Sequence, residues 1–447
     1  MSNKMKEKDN IPVSKVQRTT GFLKAGAKVG RNYLSHYTKK AFGGKADKSD
    51  LNSRNAEDIY ASLAELKGTA LKVAQVASMD KNILPQEFTK KFMEAQYQAP
   101  PLSAPLVRRT FKKVSGKNPE DIFDSFSPES VHAASIGQVH KAALNNKELA
   151  VKIQYPGVAE SVESDLQVIK PIAYRIFGIK GKQAEDFFEE VKNRMLEETD
   201  YLQEMKQGIE LGNFCKHLPG MEFPSYYKDV SSSKILVMDW MNGKPLKLIL
   251  DEVENLPQIT RNSIGQRLWD FFEFQIHVLK KFHADPHPGN FLIKDDFTIQ
   301  VIDFGCVKNI SEEFYTNFFS LLKDDVMHDD HVFDYYAYKL QMLYEEDTPK
   351  ELFFFRNSLK EAIRILSKPF KTEHFDFGED SFLDELSDFG LRMSKTPEVY
   401  KNKRARGPAD ALYVNRTYFG LFTILSKLKA NIKTENKWVK EINTQYG

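Results

Sequence analysis

The sequence predicts an α+β chain of two lobes, a small mixed N-lobe followed by a larger helical C-lobe, with a helical extension ahead of both. Three observations predict it. Apolar residues recur every three or four positions across 57–79, at Ile59, Leu63, Leu66, Ala70, Val73 and Ala77. Strand-like runs at 131–143 and 148–155 flank an Asn145-Asn146 turn, and 234–240 reads as a buried strand. Past Gly243 the pattern is helical to the end, interrupted at 284–306.

Composition narrows the function classes. At 447 residues and 41% hydrophobic content, with 33 Phe, the chain has ample material for packed cores, which excludes global disorder. Cys215 and Cys306 are the two cysteines, too few for a disulfide framework and not in paired zinc-ligand spacing, so a reducing compartment is expected. The 64 Lys and Arg nearly balance 62 Asp and Glu, which argues against a nucleic-acid binder. No run reaches the 18 or so uninterrupted apolar residues of a spanning helix, and the polar first ten residues carry Glu7 and Asp9 and no signal-peptide core. A cytoplasmic protein, with an option of peripheral attachment to the inner face of a membrane, is the expectation.

Charge is unevenly placed. Residues 1–50 hold 12 Lys and Arg against 4 Asp and Glu, a net +8, which leaves about −6 for the rest of a chain whose total is +2. In this arm Phe22, Ala25, Val29, Tyr33 and Tyr37 recur at helical spacing, while Lys24, Lys28, Arg31, Lys39 and Lys40 lie mostly off that line. Such a basic amphipathic helix suits an anionic membrane surface, and Gly26 and Gly30 permit close helix contact. A helix packed on its own domain with a solvated basic edge explains the pattern equally well. Residues 43–53 read as a linker, Pro85 ends the first helix, a second follows over 86–98, and Pro100-Pro101 closes the block. Helix is expected again over 184–206. The implied divisions are 1–50 as arm, 51–112 as helical extension, 113–241 as N-lobe and 242–447 as C-lobe.

The chemistry concentrates in His283-Ala284-Asp285-Pro286-His287-Pro288-Gly289-Asn290, where two prolines and a glycine force a loop that presents its polar side chains. Thirteen residues on comes Asp303-Phe304-Gly305, behind a strand at 299–302. Phosphoryl transfer needs a carboxylate near the attacking hydroxyl, a metal-binding amide five residues on, and a second metal-binding carboxylate, and Asp285, Asn290 and Asp303 have that spacing. The same chemistry needs a strand lysine for the α/β-phosphates and a helix glutamate to hold it. Lys152, within Ala150-Val151-Lys152-Ile153, is the lysine, and Glu197, Glu198 and Glu204 are the candidate acids. An edge-strand lysine facing water is the plain alternative for Lys152. His283, Asp285 and His287 also satisfy a metal-ligand pattern, which keeps a His/Asp metal-dependent hydrolase open. The Gly-x-Gly-x-x-Gly loop of ordinary protein kinases is missing. His132-Ala133-Ala134-Ser135-Ile136-Gly137 stands in its place, stiffer because alanine lacks glycine's freedom at positive φ.

Taken together, these segments resemble the UbiB/ADCK family of atypical protein-kinase-like ATPases, across about residues 11–430. The carriers are Leu71-Lys72-Val73-Ala74-Gln75, the Ala-Ala-Ser-Ile-Gly-Gln-Val loop, Ala-Val-Lys152-Ile-Gln-Tyr-Pro-Gly, Glu198-Thr199-Asp200-Tyr201, the His283–Asn290 octapeptide and Ile-Asp303-Phe-Gly. The resemblance implies an atypical protein-kinase-like bilobal fold whose N-terminal extension packs over the active site. Its Lys-x-Gly-Gln signature maps to Lys72 and Gln75, with Ala74 in place of the family's glycine, and places Lys72 in the nucleotide site near Glu198 and Asp200. It makes Glu204 the partner of Lys152. His132 is a second departure, at the first position of an alanine-rich loop, where a titratable side chain alters nucleotide affinity.

The resemblance further implies binding of ATP/ADP with Mg²⁺, ATPase activity with protein phosphorylation suppressed, and support of isoprenoid-quinone (ubiquinone) biosynthesis at a membrane. Partners would then be ATP, an anionic membrane surface, lipid or quinone precursors, and quinone-biosynthesis proteins. The expected roles are Lys152, braced by Glu204, on the α/β-phosphates, Asn290 and Asp303 on Mg²⁺, and Asp285 orienting the attacking water or hydroxyl. Pro286 and Pro288 stiffen the loop and His287 anchors it. Ala133, Ala134, Ser135 and Gly137 cover the phosphates, and the hinge at 237–241, with Asp239 and Met241, holds adenine through backbone groups. A nucleotide-binding pseudokinase scaffold without turnover would keep every one of these residues.

Overall fold

The structure is a computed structural model that describes residues 20, 28, 31, 32, 35, 38, 48–66, 101–133, 136–177, 182–379, 381–400, 404 and 406–435. In chain order the longer helices are α1 (Lys48–Leu66), α2 (Ala104–Ser115), α3 (Val158–Phe177), α4 (Lys182–Glu198), α5 (Tyr201–Cys215), α6 (Gln258–Glu273), α7 (Glu312–Ser320), α8 (Asp330–Lys339), α9 (Pro349–Leu366), α10 (Ser381–Ser394) and α11 (Ala409–Lys427). The strands are β1 (Ser125–Ala133), β2 (Gly137–Leu144), β3 (Lys147–Gln154), β4 (Met221–Glu222), β5 (Ile235–Asp239), β6 (Lys244–Pro245), β7 (Lys281–His283), β8 (Phe291–Ile293), β9 (Ile299–Val301), β10 (Val307–Asn309), β11 (His374–Asp376) and β12 (Asn431–Lys433). They fall into two compact units. One comprises residues 1–206 and 225–240, the other 207–224 and 241–447.

The first unit is built on an antiparallel sheet of order β1-β2-β3-β5. Asn145 and Asn146 take φ of 51° and 59°, the left-handed pair that a two-residue hairpin requires and that asparagine tolerates best after glycine. Their turn pairs Leu144 with Lys147 and so sets the whole β2–β3 register. With β3 flanked on both sides, Leu149, Ala150, Val151 and Ile153 are buried, and Leu149, Val151 and Ile153 join Val107 and Phe111 of α2 and Val162 and Leu166 of α3 in one core. The run at 131–143, expected as one strand, is instead parts of two. Ala133 pairs with Gln138, so the chain reverses between them. No Asn-Gly or proline marks the reversal in the sequence. Pro128 lies where the β1–β2 register shifts, on an edge strand, where a missing N–H is tolerated.

Two further expectations are corrected. The linker assigned to 43–53 overlaps α1, whose Leu51, Asn55, Ala56 and Ile59 are buried at one-turn spacing. Nδ2 of the buried Asn32 donates to Asn55 Oδ1 (3.1 Å) and Asp58 Oδ2 (2.8 Å), so one residue of the arm packs on this helix. The expected amphipathic line itself, at Phe22, Ala25, Val29, Tyr33 and Tyr37, lies outside the described residues, as do the part of the helix expected over 57–79 that follows Leu66 and the helix expected over 86–98. The helix expected over 184–206 breaks at Thr199 and Asp200, because Asp200 Oδ1 accepts the amides of Leu202 and Gln203 and thereby starts α5.

A buried chain of polar groups also ties this sheet together. Gln138 accepts the Leu102 amide at Oε1, its Nε2 donates to His140 Nε2, and His140 Nδ1 faces the Ser127 carbonyl. Burial drives the His140 imidazole down to about 4. The unfolded chain therefore takes up a proton below pH ~6.5 that the folded chain refuses until pH ~4, and stability falls through that window by up to about 3 kcal/mol. Urea midpoints at pH 7 and pH 4.5 should show this loss, and His140→Gln should flatten it. An unchanged pH slope in the variant would assign the loss elsewhere.

The second unit carries the sheet β4-β9-β8-β6, the ribbons β7–β10 and β11–β12, and helices α6 to α11. An aromatic cluster of Trp269, Phe370, Phe377, Phe382 and Phe422 fills its core at centroid separations between 5.4 and 6.4 Å. Helix α6 runs into a π-helical segment, Phe274–Leu279, which ends at Lys280 with φ of 50° and delivers the chain into β7. No helix among the described residues is long and apolar enough to cross a membrane.

Candidate active site

In the first unit Lys152 stands on β3, opposite Val139 of β2 and Leu236 of β5. Its Nζ donates to both carboxylate oxygens of Glu204 on α5, each at 2.9 Å. The lysine side chain is 13% exposed and the glutamate 2%, so the pair is largely withdrawn from water. The Tyr201 ring lies 5.0 Å below the ammonium. Tyr201 also explains Gly137: a Cβ there would meet Tyr201 Oη at 2.6 Å and the Ile153 carbonyl at 2.7 Å. The glycine at the end of the alanine-rich loop thus permits a close approach to the aromatic that faces Lys152. Ala133 closes β1, while Ala134 and Ser135 lie outside the described residues, as do Lys72 and Gln75.

Glu198 ends α4 and is half-buried, and Asp200 is exposed in its capping position. Asp239, the last residue of β5, accepts the Ser225 amide at 2.9 Å and the Tyr227 hydroxyl at 2.7 Å. Burial pushes its carboxyl up, but those hydrogen bonds and the charge of Lys147 outweigh it and hold Asp239 below the usual carboxylate range. Its side chain thus secures the 225–227 turn. The backbone amides of Asp239 and Trp240 donate to Ser225 and Glu148 carbonyls. Met241 is the first residue of the second unit's longer segment and is half-buried.

In the second unit the 283–290 loop lies between β7 and β8. Asn290 Nδ2 donates to the Asp285 carbonyl at 2.9 Å and to its carboxylate at 3.2 Å. His287 Nδ1 accepts the Gly289 amide and begins the 3₁₀ turn Pro288–Asn290. His283 is fully buried among Phe272, Phe291 and Phe304. Its Nδ1 accepts the Asp285 amide at 3.3 Å, which assigns the proton to Nε2, donated to the Asp303 carbonyl at 2.7 Å. Through this one ring the loop and the Asp303 segment share a fixed spacing. Gly305 donates to Asp303 Oδ1 at 3.0 Å. The structure therefore brings Lys152 to Glu204 in one unit, and Asp285, Asn290 and Asp303 into one hydrogen-bonded assembly in the other.

The metal-hydrolase alternative fails on His283, whose two nitrogens are both engaged by backbone groups. Among the described residues no three His, Cys, Asp or Glu side chains are grouped to hold a metal ion. Asn290 and Asp303 supply an amide and a carboxylate oxygen, the hard donors that suit Mg²⁺. Sequence reasoning missed Tyr201, which only its contact with Lys152 reveals, and Gln275, whose Oε1 accepts the His283 amide at 2.9 Å.

The ABC1 atypical kinase-like domain family matches residues 94–333. The chain is 27% identical over 450 residues to a probable serine/threonine-protein kinase, abkA, of Dictyostelium discoideum, covering 95% of this chain and 78% of that one. It is 26% identical to the mitochondrial atypical kinase COQ8B of Danio rerio, over 99% of this chain and 70% of the other. Against the mitochondrial atypical kinase COQ8 of Saccharomyces cerevisiae it is 25% identical over 97% and 85%. A solved Mycobacterium tuberculosis structure, Rv3197 with erythromycin, superposes with a TM-score of 0.59 at 26% identity, covering 88% of this chain and 96% of that one.

Proposed function

The chain belongs to the ABC1 atypical kinase-like family, and from that premise we propose that it binds Mg-ATP and turns it over slowly in support of isoprenoid-quinone (ubiquinone) biosynthesis at a membrane. The observation that carries the reading is the buried Lys152–Glu204 pair. Burying two opposite charges stabilises a fold little better than apolar side chains of the same size would, so such a pair in the middle of a sheet is explained by a ligand that needs the ammonium. Lys152 meets the α/β-phosphates and Glu204 holds it extended. Asp285 orients the attacking water or hydroxyl, and Asn290 fixes that carboxylate through Nδ2. Asn290 and Asp303 hold Mg²⁺, which offsets phosphate charge when bound. Residues 133–137 cover the phosphates, the backbone of 237–241 takes adenine, and Lys72 and Gln75 reach the nucleotide near Glu198 and Asp200.

The division into arm (1–50), helical extension (51–112), N-lobe (113–241) and C-lobe (242–447) belongs to the same proposal. So does attachment of the basic arm to anionic lipid, which salt would weaken. The quinone role rests on the family resemblance and on the COQ8-named relatives. The deciding experiment measures Mg-ATP thermal shift and phosphate release, with and without anionic liposomes carrying a quinone-precursor mimic. Expected are a shift, slow release that Asp285→Asn abolishes, and stimulation by liposomes that is lost on removal of residues 1–45. A shift without Asp285-dependent release would mark a non-catalytic scaffold, and no shift at all would overturn nucleotide binding.

A further inference from the structure

The family match ends at residue 333, yet a helix well beyond it meets both the catalytic loop and the segment that enters it. Gly420 lies within α11, where glycine is disfavoured relative to alanine. The packing explains it: a Cβ at Gly420 would stand 2.4 Å from Pro286 Cγ and 3.4 Å from the Pro286 carbonyl oxygen. Pro286 follows Asp285 directly, so the backbone of α11 rests on the residue next to the carboxylate. Half a turn earlier, the buried Tyr418 sends its hydroxyl into α6 and the π-segment, donating to Glu273 Oε1 at 2.8 Å.

With that proton committed, the Tyr418 oxygen accepts from His277 Nε2 at 3.0 Å, and His277 Nδ1 accepts from the Tyr315 hydroxyl of α7 at 2.8 Å. The result is a satisfied chain of buried polar groups from α7 through the π-segment to α11. From that segment Gln275 holds the His283 amide, and the His283 ring holds Asp285 and Asp303. We infer that α11 positions the catalytic loop, with Tyr418 fixing the segment that enters it and Gly420 fixing Pro286 within it. Tyr418 and Gly420 are positioning residues and do not meet the nucleotide.

The inference rests on the proposed ATP turnover for its kinetic arm only, so amide exchange of the 281–291 peptide in the full chain is measured beside phosphate release. For Gly420→Ala, kcat should fall about 10- to 100-fold with KM for Mg-ATP held within about threefold, because a misplaced carboxylate hurts orientation more than binding. Exchange in 281–291 should rise about tenfold, while the β2–β3 peptides of the first unit stay unchanged. In a Pro286→Ala background, which loosens the loop by itself, Gly420→Ala should add little to either loss, because the ring its Cβ would meet is gone. Tyr418→Phe, which keeps the ring and removes the proton donor, should raise exchange in 273–283 and lower kcat without moving KM, and it decides the matter if Gly420→Ala does not fold. Unchanged exchange in both variants, or a Gly420→Ala loss as large in the Pro286→Ala background as in the wild type, overturns the inference. If the wild type releases no phosphate, the ATPase reading fails while the exchange data still decide whether α11 holds the loop.

Discussion

Asp303→Asn should reduce phosphate release on the order of 10³-fold and remove most of the thermal shift with Mg-ATP, since a metal-binding carboxylate accounts for several kcal/mol of charge stabilisation. The substitution is nearly isosteric, and the retained amide oxygen can still accept the Gly305 amide that Asp303 Oδ1 accepts at 3.0 Å. The backbone carbonyl that takes the His283 proton is unaltered. The ligand-free melting temperature should therefore stay close to wild type, which separates loss of the ligand from loss of the fold. Asp285→Asn makes the informative contrast: its thermal shift should persist while release is lost, because its carboxylate orients the nucleophile and is not assigned to the metal. A wild-type shift in Asp303→Asn would remove Asp303 from the metal site.

Glu204→Ala should destabilise the first unit by about 2–3 kcal/mol and abolish nucleotide binding together, because removing one partner of a buried pair strands the other. The figure lies below the full range for buried pairs because Lys152 is 13% exposed and keeps the Tyr201 ring at 5.0 Å. The double variant Lys152→Met/Glu204→Leu separates the two effects. It should recover most of the stability, since apolar side chains of similar volume replace an ion pair at little cost, yet remain silent to Mg-ATP. Denaturant midpoints and thermal shifts on the wild type and these two variants measure both. Stability retained in Glu204→Ala would mean that Lys152 finds another partner or water.

The legibility of the site followed distance along the chain. Asp285, Asn290 and Asp303 are separated by five and thirteen residues, with prolines, a glycine and a short strand between them, so local backbone chemistry alone was enough to suggest their association. The Asn145-Asn146 hairpin was legible for the same reason. The reversal between Ala133 and Gln138 was not, because no Asn-Gly, Asp-Gly or proline marks it. Nor did the break at Asp200 stand out, since an aspartate between two helical runs reads as well on a helix face as at a cap.

By itself the sequence determined the kinds of element, the loop that carries the carboxylates, and the family, each of which rests on residues close together in the chain. Only the tertiary structure showed which acid and which role the packing selects. Residue type and spacing left Glu197, Glu198 and Glu204 open and the family resemblance alone pointed to Glu204, which folding brings to Lys152 from 52 residues away. His283 kept a metal-ligand reading until both of its nitrogens met backbone groups. Tyr418 and Glu273 are 145 residues apart. Periodicity reports which face of an element is apolar. A buried polar group instead reports its partner, and that partner is chosen by packing across the fold.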